Sequence, residues 1–264
     1  MRTGKFKPGL TGSGRIGDSI LAERLRGEIS GGVFFDPFSR GRYSTDASHY
    51  QIEPMGVIVP KTADEVRATV NIAREENISL LPRGGGTSQC GQTVGEALIV
   101  DVSKHLNRVL EFDPGGRSVW VEPGIVLDHL NAFLKPYGLW FPVDVSTSSR
   151  ATIGGMTGNN SCGARSIVYG TMRDNVRAVD AILSNGSEMV FGEVSDNLHL
   201  AKLNAEQSDL VSGLLDVGRR EANEITRSFP DIMRRVGGYN VDALMPHGPP
   251  RGLWAQNTVY KPSA

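Results

Sequence analysis

Residues Leu80 to Gln92 read LLPRGGGTSQCGQ: a short apolar run ends in Pro82 and Arg83 and opens into Gly84, Gly85, Gly86, Thr87, Ser88 and Gln89. Glycines carry no Cβ, so a run of them reaches φ > 0 and leaves its backbone N–H groups uncovered. Such a loop can close on an anion as a nest of donors, and phosphate is the natural guest. The residues before it suggest how it is held: Pro60 to Glu75 reads as a helix and Ile78 to Leu81 as a strand. That order sets the glycines at a strand end, against fixed backbone dipoles. A flexible surface turn has the same glycine content, so on turn chemistry alone both readings stay open.

Upstream of this unit, GVIVP at 56 to 60 reads as a strand. Thr62 reads as a helix cap with Glu65 as the partner of a capping box, and Val66, Val70 and Ala73 as the helix's inner face. Downstream, LIVDVS at 98 to 103, RVLEFD at 108 to 113 and SVWVEPG at 118 to 124 read as three short strands able to pair as neighbours. A helix from Val126 to Leu134 and a strand LWFP ending at Pro142 follow. Asn185 and Gly186 sit at the tip of an expected hairpin between VRAVDAIL and EMVFGEV. Residues 205 to 227 read as one long helix, with Leu210, Leu214, Val217, Ala222 and Ile225 on its buried side. The fold class is α+β.

The first 45 residues form a polar leader, whose part from Ile16 to Ile29 is expected to be an amphipathic helix with Ile16, Ile20, Leu21 and Leu25 on one face. Gly12, Gly14 and Gly17 spell GxGxxG there, but no apolar strand feeds the first glycine, so this is no dinucleotide fingerprint.

With 28 basic and 29 acidic residues the chain has net charge -1, and no global field recruits nucleic acid. Any polyanion must be caught locally. Cys90 and Cys162 are too few for a disulfide framework, and the five histidines have no metal-ligand spacing, so no metal is expected. Cys90 reads as a packing residue and Cys162 as a small thiol rather than a nucleophile. No run approaches the ~18 apolar residues of a membrane span and no signal peptide is evident, which makes the cytoplasm the expected compartment.

A second glycine-rich stretch, ATIGGMTGNNSCGA at 151 to 164, is too small to fill a core but lets backbone approach a flat ligand. Together with VIVPKTADEV at 57 to 66, LLPRGGGTS at 80 to 88, VWVEPG at 119 to 124, FPVD at 141 to 144 and the continuation to RSIVYGTMRDNV at 176, it resembles a known family. That family is the FAD-binding domain of the vanillyl-alcohol oxidase and p-cresol methylhydroxylase superfamily, in the branch of FAD-linked oxidases and D-2-hydroxyacid dehydrogenases.

The resemblance implies two α+β subdomains with FAD between them, in a domain covering 46 to 240 and followed by an irregular tail from 241 to 264. By the same resemblance backbone around Arg83, Gly84, Gly85, Gly86, Thr87 and Ser88 holds the pyrophosphate, the Thr87 and Ser88 hydroxyls add donors, and Pro82 and Gln89 are further cofactor-binding residues. Pro142, Ser146, Thr152, Gly154, Gly155, Asn159, Ser161, Gly163 and Tyr169 line the rest of the cofactor. Thr87 stands where some relatives carry a flavin-linking histidine, so FAD is expected to be non-covalent. The implied reaction takes a hydride from the hydroxyl-bearing carbon of a 2-hydroxy acid such as D-lactate, glycolate or 2-hydroxyglutarate, and passes electrons to an acceptor protein or quinone. Substrate ligands and base sit mainly in a C-terminal cap domain in that branch, so no catalytic residue is identified here. Neither a cap nor the usual closing segment is expected in this chain. A non-catalytic FAD-binding module or subunit, completed by a missing cap or partner, is the alternative.

Overall fold

The computed structural model describes residues 15–192, 203–230, 232 and 238–245, which divide into two units. The first comprises residues up to Trp140 with 147–156 and 182–187; the second comprises 141–146, 157–181 and the remainder from Glu188.

The first unit begins with α1 (Ser19–Glu28), β1 (Gly32–Phe34), α2 (Pro37–Tyr43), β2 (Gly56–Val59), α3 (Ala63–Glu75), β3 (Leu80–Arg83) and β4 (Leu98–Asp101). Its sheet runs β1-β2-β4-β3; β1 is antiparallel to β2 and the other pairs are parallel. All four residues of β2 and all four of β4 are buried, the continuous apolar pattern of inner parallel strands. Leu21, Leu25, Ile58, Ile72 and Leu98 pack in one core cluster, and Val57, Val59 and Ile99 form another with Tyr43 and Leu81 packed against it. The glycine loop leaves the carboxyl end of edge strand β3, the end at which open α/β sheets carry ligands.

The residues read as a leader are built into this unit, since β1 extends the sheet and α1 supplies core side chains. The helix is shorter than the expected 16–29 span because Asp18 caps it, its carboxylate accepting from the Ile20 and Leu21 amides at 3.0 and 3.1 Å. Its buried face is Leu21, Ala22 and Leu25, whereas Ile20 is 78% exposed and does not join it. The Leu21 amide holds the Asp18 carboxyl below the usual aspartate range. Asp18→Ala should cost about 1 kcal/mol at neutral pH, read from urea melts. Gly12 and Gly14 of the rejected fingerprint lie outside the described residues.

In α3 the Thr62 hydroxyl accepts from the Glu65 amide at 3.3 Å, but the other half of the expected capping box is absent. The Glu65 side chain instead accepts from the Lys61 amide at 2.7 Å and from the Ser30 hydroxyl at 2.7 Å. The inner face is accordingly Glu65, Thr69, Ile72 and Ala73, with Val66 and Val70 only half-buried.

The unit continues with β5 (Val109–Asp113), β6 (Ser118–Val121) and α4 (Leu127–Leu134). The expected neighbourhood of three strands is not formed: β5 and β6 make their own hairpin, while β4 lies between β2 and β3. A short apolar run carries no record of its partner, and β4 is chosen by burial on both faces. The expected strand at 139 to 142 is irregular chain.

The second unit carries α6 (Ser166–Tyr169), α7 (Met172–Asn175), α8 (Ala205–Arg220) and α9 (Ala222–Ser228); α5 (Ile153–Gly158) spans the division between units. The hairpin of β7 (Val179–Ile182) and β8 (Glu188–Phe191) forms at the Asn-Gly tip, with Gly186 at φ +84°. The long helix breaks at Glu221 into α8 and α9. Ile225 is buried as expected, Leu214 is 38% exposed, and Gly218 packs against the Leu244 backbone.

Candidate functional site

The glycine loop is held by its carbonyls and by one side chain. Ala47 donates its amide to the Gly86 carbonyl at 3.2 Å. The Arg83 guanidinium lies 5.2 Å over the Tyr43 ring. Its Nη1 donates to the Tyr43 and Thr93 carbonyls at 3.0 Å each, and its Nη2 to the Thr45 carbonyl at 2.7 Å. Burial pushes the Arg83 pKa down, against the opposing pull of Asp101, Tyr43 and Asp46. Beneath it the Tyr43 hydroxyl donates to Asp101 at 2.6 Å, and burial, with that carboxylate second, drives the phenol far above its ordinary pKa.

Among the described residues, no protein acceptor receives the amides of Gly84, Gly85, Gly86, Thr87, Ser88 or Gln89. Gly85 and Gln89 are exposed to water, but Gly84, Gly86 and Thr87 are half-buried and Ser88 is buried, so their free amides suit an acceptor from elsewhere. Gly86 takes φ +65°, and a Cβ there would lie 2.6 Å from Arg83 Nη2. The Ser88 hydroxyl donates to Gln92 Oε1, so of the two expected hydroxyl donors Thr87 is the one with no partner among the described residues.

Within the first unit this loop meets the start of the second glycine-rich stretch. A Cβ on Gly84 would lie well under 3.0 Å from Thr152 Oγ1, and one on Gly85 equally close to the Arg150 carbonyl oxygen. Thr152 is 2% exposed and its hydroxyl accepts from the Gly155 amide at 3.4 Å. Thr152 also bridges Val126, so it is anchored from its other side. Gly154 serves packing, because a Cβ there would meet the Pro123 ring at 2.6 Å and its amide donates to the Pro123 carbonyl at 2.8 Å. Gly155 is exposed, with only Thr152 Oγ1 nearby.

Pro142, Ser146, Asn159, Ser161, Gly163 and Tyr169 belong to the second unit. There Gly163 closes on Asp144, whose Oδ1 accepts the Arg165 amide at 3.0 Å, and the Ser161 carbonyl accepts from the Met172 amide. Asn175 Nδ2 donates to the Tyr169 carbonyl at 2.9 Å. Sequence reasoning missed Asn160, which is buried at φ +47° and accepts from the Thr171 hydroxyl and the Arg173 amide, both at 2.9 Å. Asparagine's tolerance of the left-handed region was its only signal. Arg165 pairs with Asp144 and Arg173 with Asp242, while Asp174 closes a capping box with Thr171. Cys90 is exposed rather than packed, and Cys162 is half-buried. No cluster of metal-binding side chains occurs among the described residues. His199 and His247 lie outside those residues.

Residues 54–192 match the family model for the FAD binding domain. The chain is 38% identical over 203 residues to D-2-hydroxyglutarate dehydrogenase of Pantoea ananatis, a match covering 75% of this chain and 20% of that protein. It is also 38% identical over 164 residues to glycolate oxidase subunit GlcD of Bacillus subtilis, covering 60% and 35% of the two chains. The chain thus spans about a fifth of the length of the first of these curated relatives. Among solved structures, an alkyldihydroxyacetonephosphate synthase superposes with a TM-score of 0.60 at 19% identity, over 69% of this chain and 39% of the other. A variant of Physcomitrella patens BBE-like 1 gives 0.57 at 18%, over 65% and 37%. At these identities the likeness establishes the fold.

Proposed function

Because this chain belongs to the FAD binding domain family, we propose that it is the flavin-holding part of a dehydrogenase that oxidises a D-2-hydroxy acid, with D-2-hydroxyglutarate, D-lactate and glycolate as the candidate substrates. The observation that carries this reading is the run of acceptor-free amides from Gly84 to Gln89, backed by Thr152 and Arg150. These residues fit a pyrophosphate: the donors are neutral and pre-shaped, and one left-handed glycine turns the loop. Gly84 to Gln89 would bind it through backbone, with the Thr87 hydroxyl as a further donor. On the family pattern Pro82, Arg83, Pro142, Ser146, Thr152, Gly154, Gly155, Asn159, Ser161, Gly163 and Tyr169 complete the proposed cofactor surface. Arg83 and Gly154 contribute by shaping backbone. Thr87 has no nucleophilic nitrogen, so attachment is non-covalent.

Bound FAD supplies a two-electron acceptor for the hydride leaving the substrate's carbinol carbon. The residues of this chain bind and orient that acceptor; no proton-transfer group is assigned among them. The proposed acceptor of the electrons would be a protein or a quinone, and the proposed compartment is the cytoplasm. Among the described residues no helix is long and apolar enough to cross a membrane.

Purified chain incubated with FAD should turn yellow, and acid precipitation should release the colour into the supernatant. Colour retained in the pellet would refute non-covalent attachment, and a protein that ignores added FAD would refute the reading altogether. Dye reduction by the flavin-loaded protein with each candidate acid then separates an enzyme from a binding module.

A further inference from the structure

We infer that Arg83 is a positioning residue that pre-shapes the pyrophosphate nest without touching the phosphates; this rests on the cofactor reading above. Three of the five N–H donors of the side chain are already occupied. Both Nη1 protons have carbonyl acceptors, those of Tyr43 and Thr93, and Nη2 holds the Thr45 carbonyl. These acceptors lie on separate stretches: Tyr43 and Thr45 flank the end of α2, and Thr93 stands beyond the far end of the loop. A planar fork reaches them from two nitrogens held in fixed geometry, whereas an ammonium presents its donors from a single nitrogen on a flexible stem. The Tyr43 ring underneath fixes the plane of the guanidinium. Gly86 belongs to the same arrangement, since its missing Cβ leaves the space that Arg83 Nη2 fills.

The consequence is that the loop keeps its shape without using its own amides. Asp46 reinforces the clamp, its Oδ2 accepting from the Thr93 hydroxyl at 3.1 Å and its Oδ1 from the Ser48 amide at 2.8 Å. A loop held by its amides would have no donors left for a ligand. Here the holding falls to carbonyls and one half-buried arginine, and all six amides stay available.

The test compares Arg83→Lys with Arg83→Met by the Kd for FAD and for riboflavin, which has the ring but no phosphate. Both variants should lose about tenfold in FAD affinity while riboflavin affinity stays within about twofold. Lysine within threefold of wild type, with methionine alone impaired, would make Arg83 a charge partner of the phosphates and overturn the proposal. Equal loss for riboflavin would reduce Arg83 to general stability and overturn it also. If wild-type protein binds FAD no better than riboflavin, the nest reading itself fails, independently of either variant.

Should neither variant fold, wild-type protein decides by ¹⁵N–¹H NMR with inorganic pyrophosphate. The amides of residues 84 to 89 should shift while the Arg83 guanidinium signals stay in place. A guanidinium that shifts more than those amides is a ligand, and the inference falls.

Discussion

Gly84→Ala is expected to weaken FAD binding about 100-fold, equivalent to about 2.7 kcal/mol. The new methyl would overlap Thr152 Oγ1, and Thr152 is buried and bridged to Val126, so it has little freedom to withdraw. The loop has no strand hydrogen bonds beyond Arg83 and would give way first, dispersing the amides that form the nest. The double variant Gly84→Ala/Thr152→Ala removes the obstructing hydroxyl and methyl, leaving the Thr152 Cβ at 3.3 Å from the added carbon. It should recover most of the affinity, a coupling that independent sites would not show. Titration of the four proteins with FAD, followed by flavin fluorescence, decides the point: a double variant as weak as Gly84→Ala means the overlap is not the cause.

The second large effect is expected at Glu65, which is 8% exposed and holds one carboxylate between two chain segments. It accepts from the Lys61 amide at 2.7 Å, the Ser30 amide at 3.1 Å and the Ser30 hydroxyl at 2.7 Å. Gly31 packs against the same carboxylate and has no room for a Cβ. Burial pushes the Glu65 pKa up, but the hydrogen bonds from Lys61 and Ser30 outweigh it and hold the group below the usual glutamate range. Glu65→Gln turns an NH₂ toward these donors and should cost about 2–3 kcal/mol at pH 7.

The sign of the pH dependence follows from that lowered pKa. Folded protein binds the proton less readily than unfolded chain, so this stabilisation is fully present above the ordinary glutamate pKa. It is lost as pH falls through the lowered folded value. The stability gap between wild type and Glu65→Gln, measured by urea melts, should therefore be widest at neutral pH and narrow below about pH 4. A gap of constant size from pH 7 to 3 would mean that shape, rather than charge, explains the loss.

Legibility in the sequence followed the range of the forces involved. The helix read at 60 to 75, which in the structure begins at Ala63 behind its Thr62 cap, and the Asn-Gly hairpin were readable because they depend on neighbours a few residues away. The buried faces of α1 and α8 were read less well. Ile20 and Leu214 fit a helical period yet point to solvent, because which stripe is covered depends on what packs there. Glu65 shows the same limit, since the motif names Thr62 as its partner and distant Ser30 competes for the carboxylate.

What the sequence determined by itself was chemistry of short range: where backbone could be bare, which helices begin where, and which glycine-rich stretches match a flavin-domain pattern. Only the tertiary structure decided that β4 inserts between β2 and β3, that Gly84 and Gly85 face Thr152 and Arg150, and that Arg83 clamps Tyr43, Thr45 and Thr93. The reason is that a glycine's lack of a side chain is written in its codon, whereas the atom that needs the vacated space belongs to residues far along the chain.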